Sequence, residues 1–131
     1  MAKITAVVKK PYEKAEVVEI DSGLETLQKI VGGYIEGADL PDMLDVLGFC
    51  NEEGLINGLE PNVYRPKWKD ALFGPLVYVG AGPEGDSVSL NDEQITRLMK
   101  YFDAHSVRDF GEMYMHVQTD FKHYKNTESV M

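Results

Sequence analysis

Apolar residues recur along this chain in two rhythms, and the switches between them mark its elements. Residues 4–9 and 15–20 are rich in Val and Ile and are joined through Lys9-Lys10-Pro11-Tyr12-Glu13, which predicts two strands linked by a turn. The period then changes. Leu24, Leu27, Ile30, Val31, Tyr34 and Ile35 fall three and four apart, as on one helix face, and Ser22-Gly23-Leu24-Glu25 has the spacing of a capping box. A helix is therefore predicted over 23–35. Gly32 and Gly33 lie inside it and cost about 1 kcal/mol each relative to Ala. Two readings can offset that cost: close packing against a sheet, or room for a ligand beside bare backbone. Gly37 supplies the stop.

Residues 43–50 and 55–59 flank Asn51-Glu52-Glu53-Gly54 and predict a hairpin. Residues 61–74 contain Pro61, Pro66 and Gly74, lack a clean period, and read as a long surface loop. A strand follows at 76–79, then a turn-rich stretch at 80–87. A second helix is predicted from Asn91 as cap, with Leu90 and Ile95 as a hydrophobic staple and Ile95, Leu98, Met99 and Phe102 as the buried stripe. Past Ala104, Val107, Phe110, Tyr114, Val117, Phe121 and Tyr124 keep helical spacing, whereas Met113, Met115 and Val117 alternate as in a strand. The longer stripe favours a helix, packed back on the sheet or paired with another copy of the chain. Together these elements predict an α+β fold: a small antiparallel or mixed sheet, a helix after the second strand, and C-terminal helices packed on it. The expected organisation is a compact domain over 1–104, a helical extension over 105–125 and a frayed tail over 126–131.

A chain of 131 residues suits one domain. With 44% hydrophobic and 27% charged residues, composition indicates neither wholesale disorder nor a membrane protein. No apolar run reaches bilayer length, and the opening MAKITAVVKKPYEK lacks the apolar core of a signal peptide, so a cytoplasmic location is expected. The single cysteine, Cys50, forms no internal disulfide and agrees with a reducing compartment. Thirteen Lys and Arg against twenty-two Asp and Glu give −9, a field that opposes duplex nucleic acid and anionic lipid. The same excess suits a solvated acidic surface, or a DNA mimic that occupies a basic protein.

VGGYIE at 31–36, CNEEGLINGLEPN at 50–62, FGPLVYVG at 73–80 and SLNDEQITRL at 89–98 together resemble a family of small uncharacterised domains found in bacteriophages, plasmids and bacteria. The resemblance spans residues 3–103. It implies a compact α+β domain of a phage or mobile element and brings no catalytic residues with it. Accessory phage proteins of this size often counter host defences, so that class of role is implied by analogy.

Candidate chemistry is sparse. Gly80-Ala81-Gly82-Pro83-Glu84-Gly85 matches GxGxxG, but Pro83, Glu84 and Asp86 replace the helix start that a dinucleotide site needs, so a turn is expected. Glu112, His116, Asp120 and His123 would share one face of a helix and are metal-ligand types, yet such a face is more often solvated, and no metal or cofactor is expected. Cys50 sits in an apolar strand and reads as an inert thiol. No hydrolase elbow or phosphate loop is present, so a non-enzymatic role is expected.

One stretch runs against the global charge. Arg65, Lys67 and Lys69 face only Asp70 between Pro61 and Pro75, a local +2, and Tyr64 and Trp68 alternate with the bases. Cations pair with phosphate and aromatic rings stack on nucleobases, so this island, with Tyr34 as a further stacking ring, has the parts of a small nucleotide site. Asn51, Asn57 and Asn62 supply donors for a base edge or ribose. The competing reading is a solvated loop with Trp68 folded into the core. The expected partner is thus a small anionic, nucleotide-like signalling ligand of host defence, sequestered by a homo-oligomer. The alternatives are an acidic module that inhibits a host protein and a nucleotide-acting enzyme.

Overall fold

The computed structural model describes residues 3–108. The Val-rich alternation at the start of the chain forms β1 (Lys3–Lys9) and β2 (Glu16–Asp21), antiparallel from Lys3↔Asp21 to Val8↔Glu16. Next come α1 (Leu24–Val31), β3 (Ile35–Gly37) and β4 (Val46–Asn51). β5 (Pro61–Arg65) and β6 (Asp70–Phe73) are joined by a 3-10 turn at Pro66–Trp68, and β7 (Leu76–Ala81), β8 (Ser87–Val88) and α2 (Asp92–His105) complete the order. One sheet runs β2-β1-β7-β4-β3, with β8 against β7, and β5 and β6 form a second, two-stranded sheet. Every pairing is antiparallel, and the fold is α+β.

Period-two alternation puts successive β7 residues on opposite faces. Val77 and Val79 join Ile4, Ala6, Leu27 and Val31 beneath α1. Leu76 and Tyr78 join Val7, Val63, Leu98 and Phe102 beneath α2 and the β5–β6 ladder. Tyr78 is fully buried, donates its hydroxyl to the Ala38 carbonyl at 2.9 Å, and lies 5.4 Å from the Phe102 ring. Its neighbour across the sheet is Gly48, where any Cβ would overlap the Tyr78 ring and the Ala38 carbonyl.

Three expectations need correction. The first helix ends at Val31, not Ile35, because Gly32 turns left-handed at φ 82° and bonds back to the Gln28 carbonyl at 2.9 Å. Ile35 starts β3 instead, and Gly23 takes the N-cap position with no side-chain cap. Second, 55–59 is no strand. The chain after Asn51 closes into successive turns, with Asn57 N–H on the Glu53 carbonyl at 2.7 Å and Leu59 N–H on Gly54 at 2.9 Å. Third, 61–74 is a hairpin and not a surface loop: Pro61, Asn62, Val63 and Tyr64 are buried, and Lys69, left-handed at φ 53°, closes the turn. The prolines hid it. Pro61 opens β5 and Pro66 opens the 3-10 turn, positions where a missing N–H costs little.

The second helix follows its expectation. Asn91 accepts from the Gln94 N–H at 2.8 Å while Gln94 Oε1 accepts from the Asn91 N–H at 2.9 Å, a reciprocal capping box. Leu98 and Phe102 are buried, with Ile95 and Met99 packed beside them. Past α2, Val107 N–H bonds the Asn62 carbonyl at 3.0 Å and Ser106 bridges to Val63. The metal-type residues Glu112, His116, Asp120 and His123, and most of the stretch expected as a C-terminal helix, lie outside the described residues. Among those described, no helix is long and apolar enough to cross a membrane.

Candidate functional site

Two of the candidate asparagines are structural. Asn62 is fully buried; its Nδ2 donates to the Lys9 carbonyl at 2.7 Å and the Gly74 carbonyl at 2.8 Å, and its Oδ1 accepts from Lys9 Nζ at 2.9 Å. Lys9 is only 2% exposed, also donates to the Lys10 carbonyl at 2.9 Å, and is pushed down to about 8 by burial, against the pull of Glu13. Asn51 donates to the Val31 carbonyl at 3.3 Å and accepts from Glu53 N–H at 2.8 Å. A Cβ on Gly33 would fall 2.8 Å from Asn51 Nδ2, so this glycine serves close packing against the sheet, at the side chain that ends β4. The stretches VGGYIE and CNEEG are therefore two halves of one joint.

The basic island sits on the turn between β5 and β6, and its members divide. Tyr64 is 4% exposed, so its ring offers no face to a base. Arg65 Nε and Nη2 grip the Asp70 carboxylate at 2.8 and 2.6 Å, and Nη1 donates to the Asp39 carbonyl at 2.7 Å. The same guanidinium lies 4.8 Å over Trp68, which stays half exposed and outside the core. Lys67 reaches Asp42 at 3.1 Å, and Lys69 projects from the turn with no ion pair among the described residues. Tyr34 and Asn57 are exposed at the end of the sheet formed by β3 and the 52–59 turns. A cavity of about 170 Å³, lined by Glu36, Asn51, Leu55 and Arg65 among others, lies between that end and the hairpin.

The loop 38–45 ties the hairpin to α2. At one end Arg65 and Lys67 hold Asp39 and Asp42; at the other, Arg97 Nη1 donates to Asp45 Oδ1 at 3.0 Å and Gln94 Nε2 to the Asp45 carbonyl at 2.9 Å. The Arg97 guanidinium holds the Asp45 carboxyl below its usual range. Between loop and helix runs a groove of about 380 Å³, lined by Pro41, Asp42, Met43, Arg97, Lys100 and Tyr101. Tyr101 stacks on His105 at 4.0 Å, and burial raises its hydroxyl pKa. The island thus continues through Asp42 into Arg97, Lys100 and Tyr101, which sequence reasoning missed. Their only signal is the i, i+3, i+4 spacing of a cation, a cation and a ring on the polar flank of α2.

Elsewhere, burial pushes the Cys50 thiol up to about 11, with Glu36 acting in the same sense, so it is neither ionised nor nucleophilic near neutrality. The GxGxxG stretch is a turn between β7 and β8, with Gly82 N–H on the Asp86 carbonyl at 2.7 Å. No metal-type cluster occurs among the described residues.

An antiparallel sheet with α1 on one face, and α2 beside a hairpin on the other, defines a small α+β domain whose polar groove lies outside the sheet. The chain belongs to the family described as Domain of unknown function (DUF3846), whose model matches residues 4–103. No curated protein and no solved structure matches it.

Proposed function

We propose that this domain binds a small anionic, nucleotide-like ligand without transforming it, where the hairpin turn, the 38–45 loop and α2 meet. One observation supports this reading above the others: in a chain of net charge −9, Lys67, Arg97 and Lys100 gather about one groove that Tyr101 also lines, with Lys69 and Trp68 on the adjoining turn. Phosphate takes the cations, displacing Asp42 from Lys67, and the base stacks on Trp68 or Tyr101. Of the residues expected from sequence, Lys67, Lys69 and Trp68 carry this site, and Arg65 positions the Trp68 ring. The biological role that we attach is sequestration of a signalling nucleotide of host defence, in a bacterial cytoplasm, by a phage or mobile-element protein. Tight capture favours burial between copies of the chain, hence a homo-oligomer.

The test is mass spectrometry of small molecules released by denaturing the protein after exposure to lysate from cells with an activated nucleotide-signalling defence. An intact nucleotide in near-stoichiometric amount is expected, reduced about tenfold or more by Lys67→Ala with Lys100→Ala. A chemically altered nucleotide would make the protein an enzyme, and an empty release would sink the reading. A second reading, an acidic module that occupies a host protein, is favoured by a different surface: Tyr34, Leu55 and Ile56 are 72%, 69% and 84% exposed.

A further inference from the structure

The exposed apolar side chains Leu55 and Ile56 ride on a turn that the fold takes care to fix. Glu52 N–H bonds the Tyr34 carbonyl at 2.9 Å, Glu53 N–H bonds Asn51 Oδ1 at 2.8 Å, and Leu59 N–H bonds the Gly54 carbonyl at 2.9 Å. Gly54 itself is buried so close to β6 that a Cβ would stand 3.0 Å from the Phe73 carbonyl. Apolar groups held out on ordered backbone lose little entropy on docking, the property of an anchor in a protein interface. Tyr34 stands beside the same turn, immediately before β3, which ends the main sheet on this side. Charge selects the partner. Glu36, Glu52 and Asp70 line the cavity of about 170 Å³ next to Leu55, and its one cation, Arg65, already grips Asp70.

We propose that this end of the sheet is a docking surface for a partner protein's segment carrying a Lys or Arg beside an apolar residue, the cation entering the Glu36–Glu52 cavity and the apolar group covering Leu55 and Ile56. It rests on the protein-binding reading above and is independent of the groove at α2. A second copy of this chain is the poorer occupant, since it would bring like charge against Glu36, Glu52 and Glu53.

The experiment selects random displayed peptides on the immobilised full chain and measures the winners against the parent, Leu55→Ser with Ile56→Ser, and Glu36→Gln with Glu52→Gln. Enriched peptides should pair a cation with an apolar residue and bind both double variants about tenfold or more weakly. All four side chains are exposed or line the open cavity, so unfolding temperatures should match the parent and a loss of binding is not a loss of fold. Cationic peptides that bind both variants at parental strength overturn this surface and leave the protein-binding reading standing. No enrichment at all overturns both. Self-association of the parent that Leu55→Ser with Ile56→Ser abolishes assigns the surface to a second copy and overturns the basic partner.

Discussion

Lys9 shows how a single side chain can join strands that share no ladder. It ends β1, yet its ammonium reaches Asn62 on β5, and Asn62 in turn bonds Gly74 ahead of β7. Holding an ammonium there has a cost that pH reveals. Its folded pKa, about 8, lies below the unfolded value of 10.5, so the folded chain sheds this proton first. Stability from this group is therefore lowest below pH 8, rises as pH climbs from about 8 to 10.5, and is level above that. Urea titrations across that window should show the parent gaining relative to Lys9→Met, whose own baseline lacks this rise. At pH 7, Lys9→Met strips Asn62 Oδ1 of its buried donor, a loss of about 1–3 kcal/mol that relief of the buried ammonium partly offsets, so the variant should stand nearest the parent there. Parallel pH profiles for the two proteins would show that the ammonium is not the titrating group. The sequence did carry a signal: Val7 and Lys9 share strand parity, so a buried Val7 implies an inward Lys9 if β1 runs that far.

At the scale of elements, the joint formed by the end of α1, β3 and the Asn51 turn was legible as paired motifs but not as a mechanism. Gly32 and Gly33 read as costly helix interior because the apolar spacing continued to Ile35, whereas Ile35 faces a strand partner, Asn51. A three-residue strand has too few positions for its period of two to compete with a helical stripe. β5 was hidden by its prolines in the same way, while β1, β2, β7 and α2 were plain because each is long or well capped. The basic island was visible in sequence, but which of its members face solvent was not. Only the hairpin register buries Tyr64 and places Arg65 opposite Asp70. Asn51→Ala tests the joint: it strips partners from the Val31 carbonyl and Glu53 N–H and should cost about 2–3 kcal/mol by chemical denaturation. It should also speed amide exchange across 32–37 and 52–59 relative to α2. A loss spread evenly over the whole chain would mean that Asn51 supports the core and not this joint.

Over the whole molecule, charge separates the two surfaces more sharply than shape does. Around the groove, the cations Arg65, Lys67, Lys69, Arg97 and Lys100 are matched by the carboxylates of Asp39, Asp42, Asp45, Asp70 and Glu93, so this face is neutral as a whole and affinity there is short-ranged. An approaching anion consequently feels the net −9 of the chain until it is within contact distance. Salt screens that repulsion over about 8 Å at physiological strength and leaves direct phosphate contacts less affected. A cation-bearing peptide nearing Glu36, Glu52 and Glu53 feels the opposite field, attractive at long range and weakened by the same salt. Association rates measured by stopped flow from 0.05 to 0.5 M NaCl should therefore move in opposite directions, rising for a dinucleotide probe and falling for a selected cationic peptide. Slopes of the same sign would mean that both ligands enter through one surface, and the division of this domain into an anion groove and a basic-peptide end would fail with them.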